Sequence, residues 1–170
     1  DIGERGQARS AMEALADETR PDLVVSVGGG IAIGYARQLA IHLAGGDHSA
    51  PRVPLITVPT TLSGAEANVG YIAVGGERVA DSPSRPGTAI LDAELAMHTP
   101  SELFLSSGFN ALNHCFEGTY ATERNVVADG VYLHAARLLV EALPAVSDDP
   151  ADVEARGRAL LGVYLSGLMI

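Results

Sequence analysis

The chain has 170 residues, enough for one domain or for parts of two, and 47% of them are hydrophobic against 19% charged, which excludes a disordered chain. Its 21 acidic and 11 basic residues give a formal charge of -10. That balance excludes a surface built to neutralise phosphates, so neither nucleic acid nor an anionic membrane is an expected partner. The single cysteine, Cys115, excludes an internal disulfide and a cysteine-built zinc site, and is expected to be a small buried hydrophobe. No run reaches the roughly 18 apolar residues of a membrane span and no secretory signal pattern is visible, so a cytoplasmic setting is expected. The sequence opens at Asp1 without methionine and stops inside the apolar run Leu165–Ile170, so both ends read as cuts in something longer.

The first predicted element is a helix that places Ala8, Met12, Leu15 and Ala16 on one face. After Pro21, the unalternating run Leu23-Val24-Val25-Ser26-Val27 suits a parallel strand buried on both faces. Gly28-Gly29-Gly30 ends it, and a helix follows with Ala32, Tyr35, Ala36, Leu39, Ala40 and Leu43 apolar. A loop from Gly45 to Arg52 leads to a second strand, Val53–Val58. Strand, glycine turn, helix and strand in this order spell a βαβ unit, and hence part of a doubly wound parallel sheet.

The texture changes near Thr99-Pro100, beyond which the patterns are helical and no strand is predicted. Leu105, Phe109, Leu112, Phe116 and Tyr120 form one apolar stripe, and Val127, Val131, Ala135, Leu138 and Leu139 form another. Asp149-Pro150 reads as an N-cap with proline at the first helical position, opening a helix that runs to the end. The expected organisation is a partial α/β dinucleotide-binding domain over 1–98 and the start of an all-helical domain over 99–170.

Three segments carry possible chemistry. Gly28-Gly29-Gly30 sits where a parallel strand feeds a helix, a place where backbone amides can hold a pyrophosphate; a plain tight turn is the alternative. The spacing is not G-x-G-x-x-G, and no lysine follows as a P-loop requires. Pro59-Thr60-Thr61-Leu62-Ser63-Gly64-Ala65-Glu66 brings three hydroxyls to the end of the next strand, where such sheets bind ligands. Its plainer reading is a helix start capped by Thr61 or Ser63. In Gly108–Glu117, the spacing puts Asn110, His114 and Glu117 on one helical face, roughly opposite Phe109, Leu112 and Phe116. Such a stripe can line a cleft or serve as a hydrogen-bonded structural feature. The amide of Asn110 is a weak, uncharged metal ligand beside a histidine. His42, His48, His98 and His134 have no partner at ligand spacing and read as surface or satisfied core histidines.

Taken in order, these segments, with Ala89–Leu95 and Pro100, resemble the iron-containing (group III) alcohol dehydrogenase superfamily. Within it the chain is most similar to the maleylacetate reductase branch, on the short loop Thr60–Glu66, on Gly34 and on Asn110 in place of a metal-binding aspartate. The resemblance covers essentially the whole chain but only about the middle half of the family's length.

The resemblance implies an oxidoreductase that passes hydride between NAD or NADP and a small carbonyl, alcohol or maleylacetate-like substrate. It places Gly29, Gly30 and Ile31 at the cofactor pyrophosphate, Thr60, Thr61 and Ser63 beside the nicotinamide, and Arg78 near a cofactor-contacting lysine. It assigns no catalytic residue within the chain. A divalent iron or zinc ion would meet Asn110 and His114, with the remaining ligands expected beyond Ile170. Departures stand at Ile31, Ala65 and Arg78, where the family has serine, serine and lysine. A homo-oligomer is the expected assembly, and the chain alone is expected to be inactive. Rival readings are a metal-dependent alcohol dehydrogenase proper, a glycerol dehydrogenase or dehydroquinate synthase-like relative, and a non-catalytic remnant of the fold.

Overall fold

The computed structural model describes residues 2–45, 53–68, 71–72, 78–79, 85–121 and 125–169. Helix α1 spans Ile2–Thr19, strand β1 Val24–Gly28, helix α2 Gly30–Leu43 and strand β2 Leu55–Pro59. Two short strands follow, β3 (Tyr71–Ile72) and β4 (Arg78–Val79), paired antiparallel. Strand β5 (Thr88–Ala89) leads to the short helix α3 (Ala93–Ala96), and the long helices α4 (Ser101–Tyr120), α5 (Val126–Asp148) and α6 (Val153–Leu168) complete the order.

The βαβ expectation is met. β1 and β2 pair in parallel from Val24↔Leu55 to Gly28↔Pro59, and β5 joins β2 in parallel, giving a three-stranded sheet in the order β1-β2-β5. α2 packs back on that sheet through Ala36 and Leu39 against Val24 and Leu55. Among the described residues no strand follows Pro100. No described helix is long and apolar enough to cross a membrane.

Several local expectations are corrected. β1 is not buried on both faces: Val24 and Ser26 point inward, whereas Val25 and Val27 are each 55% exposed. The face predicted for α1 is also largely open, with Ala16 buried but Ala8 and Leu15 exposed. In α2 the buried side includes Arg37 and Gln38 beside Ile33, Ala36 and Ala40. The helical register of α4 is turned by about one residue from the predicted stripe. It buries Phe104, Gly108, Ala111 and Cys115, and leaves Phe109, Phe116 and Tyr120 exposed at 63%, 54% and 71%.

Close packing explains the choice. A Cβ on Gly108 would lie 2.5 Å from Leu143 and 2.8 Å from Leu62, so the helices meet where the side chains are smallest. The stripe on α5 is right from Ala135 through Leu139, while Val127 at its start is exposed. Asp149-Pro150 does not cap α6. Asp149 instead accepts a bond from the N–H of Ala151 in a turn, and Asp152 caps the helix by accepting from the N–H of Ala155 at 2.8 Å.

Leu62, Phe104, Cys115, Leu139, Leu160 and Val163 belong to the main core, which joins α4, α5 and α6 to the loop after β2. Cys115 is free and buried as expected, and burial raises its thiol pKa to about 11. Arg156 was not anticipated there. Its guanidinium is buried, lies 4.6 Å over the Phe104 ring and donates to the carbonyls of Pro150, Ala96 and Thr99.

Candidate functional site

The site lies at the carboxyl ends of β1 and β2, where the crevice of a parallel sheet takes its ligands. β1 ends at Gly28, whose φ of 145° is a conformation that L side chains rarely adopt. The N–H of Thr60 bonds to its carbonyl at 3.0 Å, which carries the pairing of the two strands one step into the loops. Gly29 is the N-cap of α2 and offers no side chain to cap it. The first amides of that helix therefore lack the usual hydroxyl or carboxylate partner, as an anion-binding helix start requires.

The structure brings the predicted glycines and hydroxyls together. A Cβ on Gly29 would meet the Thr61 side chain at 3.0 Å, and one on Gly30 would meet Ser63 at 3.0 Å. Thr61 and Ser63 are both half-buried. No helix starts at either of them. The chain from Gly64 makes a single turn instead, with the N–H groups of Ala67 and Asn68 both donating to the Gly64 carbonyl. Buried Arg37, reaching from α2, secures that turn by donating to the carbonyls of Ala65 and Asn68 at 3.2 and 3.0 Å. Ile31, one residue into α2, is exposed. Arg78 lies in β4, opposite Ile72, and its side chain is outside the described residues.

One residue on this loop carried more than its place in the motif suggested. Glu66 is buried, and among the described residues neither of its carboxylate oxygens has a hydrogen-bond partner. Burial raises its pKa from the ordinary 4.5 to about 7, against a smaller lowering by its own backbone amide. An unpartnered buried carboxyl is far less costly neutral than charged, so Glu66 keeps its proton well above the usual range. Residue type alone argues for exposure, and nothing in the spacing signals otherwise.

The polar stripe on α4 forms as its spacing predicted. Asn110 Nδ2 lies 3.1 Å from His114 Nε2, and His114 Nδ1 lies 3.5 Å from a Glu117 oxygen. An amide N–H donated to Nε2 leaves the ring proton on Nδ1, facing the Glu117 carboxylate. Asn110 and His114 are two uncharged donors on one helix, a set that does not by itself fit a divalent ion. Among the described residues no group of three or more His, Cys, Asp and Glu could hold a metal. The other histidines stand apart: His42 pairs with Asp17 at 2.8 Å, His98 and His134 are exposed, and His48 lies outside the described residues.

Comparison with known proteins gives the family of the chain. Residues 7–93 match the iron-containing alcohol dehydrogenase family, and residues 104–170 match the C-terminal part of the Fe-containing alcohol dehydrogenase family. The maleylacetate reductase of Sphingobium indicum is 32% identical over 163 residues, which cover 94% of this chain and 44% of that protein. The crystal structure of maleylacetate reductase from a Rhizobium species superposes with a TM-score of 0.81 at 32% identity, over 96% of this chain and 45% of that one. Sulfoacetaldehyde reductase from Bifidobacterium kashiwanohense, solved with NAD+, shares the fold at a TM-score of 0.84 and 24% identity, over 95% of this chain and 48% of its own. The chain thus spans less than half the length of the relatives it matches. With both of its parts matched in sequence and its parallel sheet and helices superposing on those of solved members, the chain belongs to the iron-containing alcohol dehydrogenase family.

Proposed function

We propose that this chain supplies the cofactor-holding centre of an NAD(P)-dependent reductase acting on maleylacetate or a similar small carbonyl acid. The observation that carries the reading is the uncapped start of α2 at Gly29, with Thr61 and Ser63 set directly against Gly29 and Gly30. Amides at that helix start hold the pyrophosphate, and the glycines let the hydroxyls of Thr61 and Ser63 come close beside them. Thr60, Thr61 and Ser63 border the nicotinamide side and orient it. When bound, the cofactor supplies the hydride to the substrate carbon. Asn110 and His114, on α4 beyond Thr99, belong to the helical part that faces the substrate. Its boundary with the nucleotide-binding part falls near Thr99-Pro100. The maleylacetate reductases among its relatives support the substrate class.

Asn110 tests the choice between this reading and a metal-dependent alcohol dehydrogenase. An amide brings no charge to a divalent site, whereas aspartate would bring a full negative charge and a harder oxygen. In the protein that carries this chain, NADH or NADPH oxidation should be driven by maleylacetate and unaffected by a chelator. Asn110→Asp should raise metal uptake without improving that reaction, because the new carboxylate repels an acidic substrate. Turnover of simple alcohols that needs a full equivalent of iron or zinc would replace the reductase reading with the dehydrogenase one. Absence of any turnover and of nicotinamide binding would leave a non-catalytic remnant.

A further inference from the structure

The loop after β2 is held from two sides by alternate residues. Thr61 and Ser63 lie against the glycine turn. Thr60 and Leu62, which alternate with them, are fastened to the other side, as the two-residue period of extended chain allows. The Thr60 carbonyl accepts from Thr99 Oγ1 at 2.7 Å, and the Leu62 N–H donates to Ser107 Oγ at 3.0 Å. The Leu62 side chain is fully buried in the core made by α4, α5 and α6.

Both tethers are anchored in turn. The Thr99 carbonyl accepts from buried Arg156 on α6. Ser107 Oγ directs its own hydrogen into α4, toward the carbonyls of Leu103 and Phe104 at 2.9 and 2.8 Å, so its lone pair is left for Leu62. The two tethers reach across sequence separations of 39 and 45 residues to the backbone of the same short loop.

We propose that Thr99 and Ser107 are positioning residues: they fix where Thr61 and Ser63 stand over the glycine turn, and so set affinity for the nicotinamide end of the cofactor. This rests on the cofactor reading above. Neither residue faces the glycine turn, so each acts through the loop backbone. The α2 amides that the pyrophosphate needs are set by the helix itself and depend on neither tether.

The experiment titrates NADH and ADP into the protein that carries this chain, as wild type, Thr99→Val, Ser107→Ala and Thr99→Ser. ADP presents the pyrophosphate without the nicotinamide. Loss of one neutral hydrogen bond should weaken NADH about three- to tenfold in the valine and alanine variants. ADP affinity should stay unchanged, and Thr99→Ser, which keeps the hydroxyl, should restore NADH binding. If Ser107→Ala fails to fold, the near-isosteric Thr99→Val decides alone. NADH affinity unchanged in the variants, or NADH and ADP weakened together, overturns the proposal while wild-type binding keeps the cofactor reading. A wild type that binds neither ligand overturns both.

Discussion

Replacing Arg156 with methionine should cost the fold about 2 kcal/mol, because it leaves the buried Thr99 carbonyl without a donor rather than merely removing a charge. The side chain is almost completely buried and donates to Pro150 at 3.0 Å, Ala96 at 2.8 Å and Thr99 at 3.4 Å. Ala96 keeps a second bond from the N–H of Thr99 and Pro150 is exposed, so the loss falls mainly on Thr99. Methionine fills much of the space and retains a contact with the Phe104 ring, which isolates the polar loss from a cavity effect. Removing a buried charge offsets part of the cost, since burial already lowers the pKa of this guanidinium. The orphaned Thr99 carbonyl outweighs it, because no other donor to it is found among the described residues. Urea unfolding of the two proteins measures the difference. A loss below about 1 kcal/mol would show that water reaches the Thr99 carbonyl once the arginine is gone.

The second large effect is a pH dependence centred on Glu66. Its folded pKa of about 7 stands above the ordinary 4.5, so the folded state holds the proton more tightly than the unfolded one. The sign follows from that. Stability associated with this group is fully present below pH 4.5 and is lost as pH rises through about 7. The shift corresponds to about 3 kcal/mol. Glu66→Gln keeps the shape of the protonated acid and cannot ionise. The variant should match wild type in acid and exceed it by up to about 3 kcal/mol near pH 8 and above. Parallel stability curves for the two proteins across this range would mean that Glu66 finds a partner when it ionises.

The parallel unit could be read from the sequence because its signals are local. β-branched residues at Val24, Val25 and Val27 and the glycines that stop them define a strand and its turn without knowledge of what packs around them. The same holds for the hydroxyl loop, which follows β2 directly and was expected at its carboxyl end. What failed depended on neighbours. The burial of Val25 and Val27 is set by what covers the sheet, and nothing within the strand carries that information.

On α4 the bulky residues Phe109, Phe116 and Tyr120 outweigh small ones in any count of apolar periodicity. Yet Gly108, Ala111 and Cys115 form the buried face, because they let Leu62 and Leu143 come close. Strands of two residues, such as β3, β4 and β5, are too short to show a period at all. Within the site, the pairing of Asn110 with His114 followed from helical spacing alone. The burial of Arg37, Glu66 and Arg156 did not, because charged side chains are expected outside unless a partner is known.

The central claim is that the turn at Gly29 and Gly30, roofed by Thr61 and Ser63, holds a nicotinamide dinucleotide. Titration of NADH into wild type and Gly30→Val in the protein that carries this chain tests it most directly. A Cβ at Gly30 would already press on Ser63 at 3.0 Å, with Ala65 at 3.9 Å behind it, so the valine branches would push away the loop that roofs the α2 amides. Gly30 is not among the glycines with positive φ, so the backbone itself accepts the substitution. Wild type should bind NADH saturably, and a Gly30→Val protein that unfolds cooperatively like wild type should bind it at least about tenfold more weakly. Affinity within about twofold of wild type in a folded Gly30→Val protein would contradict the assignment of this turn as the cofactor cradle.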